Sequence, residues 1–304
     1  AARRAGLFEV GSVECLLEAV RGAARYSRGF AHVLLVHGST RLAVGGSGRV
    51  YALSVTEPGG GTDVRGNLRT VAEPAGGGVY RVSGVKTFTS NALYATHFAV
   101  LASHGGGAAV FLCERQPEIV VEPLELSGFR GSGVARVEYR GAECERITPP
   151  GVDGVREALR YINVGRLGYA ALALGMADRA VEMIVEAASS KEIFGRRLID
   201  YQGVRWAVAE IAVKRAALES LVARALSGGS IDPELAAAAK ILAGELGVEA
   251  AWRAVQILGG RGLEMWGEAE RMYRDAKVLD IGEGAREVLL DYIAARTVKK
   301  TGVS

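Results

Sequence analysis

Hydrophobic positions divide this 304-residue chain into three textures. From residue 12 to about 44 they recur at helical spacing in two short runs, the second around "GFAHVLLVHGSTRLAV". From 48 to about 148 the text is strand-like. "RVYALSV", "GVYRVSGVKTFTS", "HFAVLAS", "AAVFLCE" and "VARVEYRG" are β-branched or aromatic runs. The triplets Gly59–Gly61, Gly76–Gly78 and Gly105–Gly107 separate them. Short strands so spaced predict an antiparallel barrel or sandwich. From 152 onward the period returns to 3.6. Ile162, Leu167, Ala170, Leu174, Ala177, Val181 and Ile184 make one stripe; Val204, Val208, Ile211, Leu218 and Leu221 a second; Leu235, Ala238, Leu242, Leu246, Ala250 and Leu258 a third. Helices of such length with short connections predict a four-helix bundle. The expected fold is therefore α+β: a small helical cap over 1–47, a β domain over 48–150 and the bundle over 151–304.

One helical stretch is interrupted. "RDAKVLDIGEGAREVLLDYIA" (274–294) carries an apolar stripe of Val288, Leu289, Tyr292 and Ile293, yet Gly282-Glu283-Gly284 stands in its middle. Each glycine costs a helix interior about 1 kcal/mol relative to alanine. A plain loop with a surface glutamate and a carboxylate placed for chemistry both fit this pattern.

Composition narrows the class. Hydrophobic residues make up 49% and charged residues 23%, which describes a globular chain. A net charge of +3, spread along the sequence, gives no reason to expect nucleic acid, and no apolar run has the length of a membrane span. Cys15, Cys113 and Cys144 are odd in number and far apart, so the spacing suggests neither a disulfide framework nor a zinc site. A soluble protein of a reducing cytoplasm is expected. His32, His37, His97 and His104 have no metal-ligand spacing.

Glycine clusters in "GFRGSG" (128–133) and "GGRG" (259–262) lack the strand before and helix after that a dinucleotide fingerprint needs, and read as turns. "SVTEPGGGTDV" (54–64) and "GVKTFTSN" (84–91) each end a strand with hydroxyls beside glycines or an aromatic. Each reads as an ordinary turn or as hydrogen bonds and a stacking face for a flat heterocycle.

Taken in order, "TEPGGGTDV", "GVKTFTSN", "GFRGSG", "INVGRLGYAALALG", "FGRRLIDYQ", "AVQILGGRG" and "YRDAKVLDIGEG" resemble the acyl-CoA dehydrogenase family of flavoproteins, over residues 50 to 295. The resemblance implies FAD as cofactor, an acyl-CoA thioester as substrate, an electron-transfer flavoprotein as acceptor and a homodimer or homotetramer. It places the catalytic base at Glu283, flanked by Gly282 and Gly284, which let the backbone approach the substrate. The following helix is expected to favour the ionised carboxylate until an acyl chain buries it. For FAD the matching positions are Val55, Thr56, Thr62, Phe88 and Ser90, and from a neighbouring subunit Lys191, Phe194, Gln202, Gln256 and Gly260. Arg166 matches a position near the active site.

Several positions depart from the family pattern. Phe88 and Ser90 stand where Trp and Thr are usual. Lys191 replaces an arginine and loses its bidentate grip on phosphate. Ala285 and Glu287 replace residues with dinucleotide contacts. Gly282 replaces a frequent tyrosine, which suggests room for a branched or bulky acyl group. Only 55 residues precede Thr56, so the family's helical N-terminal domain is expected to be shortened. Two alternatives follow from these departures: redirected chemistry such as an oxidase, or a non-catalytic binding or assembly role.

Overall fold

The run "HFAVLAS" folds as a strand buried on both faces, and the β domain is built around it. In the computed structural model, which describes residues 9–61, 63–149 and 152–302, β4 (His97–His104) sends Phe98, Val100 and Ala102 to one apolar cluster. Its Ala99 and Leu101 go to another, formed with Val155, Ala158 and Tyr161 at the start of a long helix. That is why the run is continuously apolar instead of alternating.

The other strands are β1 (Tyr51–Ser54), β2 (Val71–Gly76), β3 (Val79–Thr89), β5 (Gly107–Glu114), β6 (Ile119–Pro123) and β7 (Ala135–Arg146). Pairing runs β4-β2-β3-β7-β5 and returns to β4, closing a small barrel, with β6 added on β7 and β1 on β4. The antiparallel expectation holds for most of these pairs, but β1 runs parallel to β4, Tyr51 opposite His97, and so does the short β2–β4 join. Strands β2 and β6 have no counterpart in the sequence reading. In β2 only Ala72 is buried, and a bulge falls between Pro74 and Gly76, so the strand carries no clean alternation.

The cysteine reading needs correction. Cys113 on β5 and Cys144 on β7 are direct cross-strand partners and are joined as a disulfide, with Cα atoms 4.3 Å apart. Their 31-residue separation hid a pairing that strand register creates. Cysteine spacing therefore no longer argues for a reducing compartment.

Two helices precede the barrel, α1 (Val13–Ala24) and α2 (Arg28–Val44). After it come α3 (Gly154–Ser190), a hairpin of β8 (Glu192–Ile193) and β9 (Arg196–Arg197), α4 (Gln202–Leu226), α5 (Pro233–Leu258), α6 (Glu268–Ile281) and α7 (Arg286–Lys300). Helix α5 opens as its sequence dictates: Asp232 accepts from the amides of Glu234 and Leu235 at 2.8 and 3.1 Å, and Pro233 occupies the first turn. The fourth expected helix is divided into α6 and α7 at the glycines. Among the described residues no helix is long and apolar enough to cross a membrane.

The chain forms two compact units. One holds residues up to Leu16, His32–Leu126 and Arg130–Gly165; the other holds Leu17–Ala31, Ser127–Phe129 and the chain from Arg166 on.

Candidate active site

In the helical unit, α6 stops at Ile281 because Gly282 turns extended, with φ −67 and ψ 159. Its amide still donates to Val278 O at 2.9 Å, the last helical bond. Glu283 then takes φ 57, a left-handed conformation that non-glycine residues adopt at a cost, and Gly284 takes φ 108. Helix α7 restarts after Ala285. The acid thus stands in a short break between helices, and it is the acid's own backbone that makes the turn.

The glycines have different reasons. Gly284 needs its φ. Gly282 needs its missing side chain: a Cβ there would lie 2.2 Å from the Tyr169 hydroxyl oxygen and 2.8 Å from the ring carbon bearing it. Tyr169, buried on α3 with its ring tilted against Phe129, fills the place where the resemblance predicts open space.

Two cations hold the break from either side. Arg166 Nε on α3 donates to Glu283 O at 3.2 Å, and Lys240 Nζ on α5 donates to Asp280 O at 2.7 Å. Burial pushes the Glu283 carboxyl up to about 7, against the downward pull of Arg166 and Lys240. This corrects the expectation of a carboxylate kept low by the helix dipole. Glu283 lies ahead of the α7 cap rather than within its first turn, so the dipole reaches it weakly and withdrawal from water dominates. Burial lowers the Lys240 ammonium to about 8, while Asp280 and Glu283 act to raise it. Burial, with the Glu283 charge added, keeps the Tyr169 hydroxyl protonated far above the usual tyrosine range. Burial also pulls the Arg166 guanidinium below its ordinary value, opposed by Glu283 and Tyr292.

The same α6 fixes the "GFRGSG" segment. Asp275 Oδ1 accepts from the Phe129 amide at 2.6 Å, and its Oδ2 from Arg28 Nε at 2.9 Å. A Cβ on Gly128 would lie 2.4 Å from Arg274 O, so only glycine allows this approach.

In the barrel unit, Val55 and Thr56 follow directly on β1, and Thr87 N donates to Thr56 O at 2.8 Å, which brings them beside Phe88 and Ser90. The β3–β7 register slips between Lys86 and Thr89. This bulge puts Phe88 at φ 50 and leaves it 59% exposed, where bulges commonly re-aim a side chain. Glu57 roots the loop, accepting from Lys86 Nζ at 2.8 Å, Thr70 N at 2.9 Å and Arg69 N at 2.8 Å. Thr62 lies outside the described residues.

The remaining candidates lie on the surface of the helical unit. Phe194, at the tip of the β8–β9 hairpin, has φ 51 and is 95% exposed; Lys191, Gln202, Gln256 and Gly260 are exposed as well. Lys191 Nζ comes 3.7 Å from the Cβ position of Gly259, so it stands beside the glycine pair that ends α5. An exposed aromatic ring with neighbouring hydroxyl and amide groups fits a flat, polar-edged cofactor, and the exposed lysine and glycines fit a pyrophosphate.

Sequence reasoning overlooked Lys240 and Tyr169. A lysine inside "LAAAAKILAG" was the available signal, since only a compensated ammonium belongs on such a face. Tyr169 gave none, because its partner is a glycine more than a hundred positions later.

The family model described as acyl-CoA dehydrogenase, middle domain, matches residues 52–142, and the one described as acyl-CoA dehydrogenase, C-terminal domain, matches 152–298. An acyl-CoA dehydrogenase of Bacillus subtilis (strain 168) is 36% identical over 250 residues, 78% of this chain and 65% of that protein. The 3-sulfinopropanoyl-CoA desulfinase of Paraburkholderia xenovorans (strain LB400) is 31% identical over 80% of this chain and 66% of its own length. The solved butyryl-CoA dehydrogenase of Megasphaera elsdenii superposes with a TM-score of 0.87 at 26% identity, covering 95% of this chain and 82% of that one. The chain spans about two thirds of the length of these curated relatives.

Proposed function

The chain belongs to the acyl-CoA dehydrogenase family, and on that premise we propose that it dehydrogenates an acyl-CoA thioester across its α,β bond with Glu283 as the base. The observation that carries this reading is the Glu283 carboxyl itself. It stands in a break between helices, with Arg166 and Lys240 bonded to carbonyls on either side and burial placing its pKa at about 7. A general base works best when its pKa lies near the working pH.

In the proposed reaction the ionised Glu283 accepts the α-proton, the β-hydrogen departs as hydride, and the pair of electrons left on the α-carbon becomes the new double bond. The acidity of an α-proton next to a thioester is low, so charge developing on the thioester oxygen needs donors. In this reading the backbone amide of Glu283 is a donor to that oxygen, and Arg166 holds the Glu283 peptide through its carbonyl. FAD, when bound, supplies the hydride acceptor. Val55, Thr56, Thr62, Phe88 and Ser90 would hold its flavin half, and Lys191, Phe194, Gln202, Gln256 and Gly260 would serve the dinucleotide of a second copy in a homodimer or homotetramer. An electron-transfer flavoprotein would be the acceptor that reoxidises the cofactor.

The wall beside Glu283 is reshaped. A phenol arrives from α3 at the place a side chain on 282 would take, so the bulk absent at 282 is restored by Tyr169 and the room it suggested for a branched or bulky acyl group is filled. Anaerobic bleaching of the flavin-loaded protein by a panel of acyl-CoAs, with detection of the 2-enoyl product, tests the reading. With Tyr169 in that place, straight acyl-CoAs should bleach faster than branched ones; faster bleaching by branched ones would show that the phenol yields the space, and no bleaching by any member refutes the dehydrogenase. A second reading, a thioester enzyme with redirected chemistry, is favoured by the relative named as a desulfinase. Hydrolytic loss of the sulfinate group from 3-sulfinopropanoyl-CoA, with no 2-enoyl product and no flavin bleaching, would select it, since that step needs no oxidant.

A further inference from the structure

Lys240 lies in the middle of α5 and is only 1% exposed, with Ala236, Ala237, Ala239 and Ala243 buried around it. An ammonium in such surroundings needs a partner that repays its lost hydration. The partner is specific. Nζ donates at 2.7 Å to the carbonyl of Asp280, in the last turn of α6, where backbone acceptors have no helical donor and the helix dipole is negative.

The approach of the two helices is built for this bond. A Cβ on Gly244 would lie 3.3 Å from Asp280 Cα, and one on Gly247 would lie 2.4 Å from Leu279 Cδ1. Glycines one and two turns beyond Lys240 thus let α5 close on the end of α6. Three residues past the bonded carbonyl stands Glu283.

We propose that Lys240 is a positioning residue for Glu283, a buried cation that pins the end of α6 and whose charge favours the ionised form of the neighbouring carboxyl. The proposal rests on the reading of Glu283 as base for its functional meaning, but the coupling itself can be tested separately. The charged and titratable groups facing this cluster are Arg166 and Tyr169 of α3, Asp280 of α6, and Glu287 and Tyr292 of α7. Of these only Arg166 shares with Lys240 the role of a cation acting on Glu283.

The test is a carbon-13 titration of the glutamate side-chain carboxyls, in the chain without added flavin. The Glu283 signal is identified by its loss in Glu283→Gln. In the wild type it should titrate well above its ordinary value of 4.5, at about 7. In Lys240→Met and Lys240→Gln the midpoint should move up to about 8, and Lys240→Arg should restore it toward the wild-type position. An unchanged midpoint in folded Lys240→Met or Lys240→Gln overturns the proposal. In flavin-loaded protein the rate of bleaching at pH 6 should fall about tenfold in Lys240→Met and recover at pH 9. If the carboxyl shifts as stated but Glu283→Gln bleaches like the wild type, the coupling stands and the base assignment fails.

Discussion

At the scale of the residue, Glu283 combines two unfavourable choices. It holds a left-handed backbone at φ 57, which for a non-glycine residue costs about 1–3 kcal/mol. Its carboxyl is also withdrawn from water far enough to titrate near 7. The folded state therefore keeps a proton that the unfolded chain gives up near its ordinary value of 4.5. The sign follows from linkage: this group's contribution to stability is fully present below about 4.5 and is lost as pH rises through 7. Thermal unfolding of Glu283→Gln against wild type should show the variant gaining relative stability between pH 5 and 8, whereas a difference that does not change with pH would contradict the buried carboxyl. The break at Glu283 was legible because two glycines in a helical pattern are expensive, while the role given to its carboxyl came from the family resemblance. Lys240 and the Tyr169–Gly282 pair were not, because their meaning depends on which helices meet.

At the scale of the element, α6 links the site to its surroundings. Its Asp275 receives the Phe129 amide through one oxygen and buried Arg28 through the other. Removing that carboxylate leaves an arginine only 2% exposed without its partner. Asp275→Ala should lower the unfolding free energy in urea by about 3–5 kcal/mol, and Asp275→Asn, which keeps an acceptor, by less. A loss under 1 kcal/mol for the alanine variant would show that the pair is solvated. The long helices were legible from stripes that repeat over many turns. The bulge that turns Phe88 outward and the irregular strand β2 were not, because a slip of one position is a property of pairing and leaves no periodic trace.

At the scale of the whole molecule, the order of helical front, barrel and helical unit was readable from the change of period, and the family from motifs in sequence. The disulfide was not, since only the β5–β7 register sets Cys113 opposite Cys144. Its consequence can be counted: denatured, unreduced protein should show one reactive thiol per chain, the exposed Cys15, and three after reduction. Three thiols before reduction would exclude the bond. Reduction should destabilise the fold by about 2–4 kcal/mol. Within the helical unit, Arg166 and Lys240 bond to the carbonyls of Glu283 and Asp280. The most direct measurement is the anaerobic rate of flavin reduction by a reactive acyl-CoA at pH 8, in wild type and in Glu283→Gln. The account predicts a loss of about 100-fold to 10,000-fold in the variant with substrate still bound; equal rates in the two proteins would contradict it.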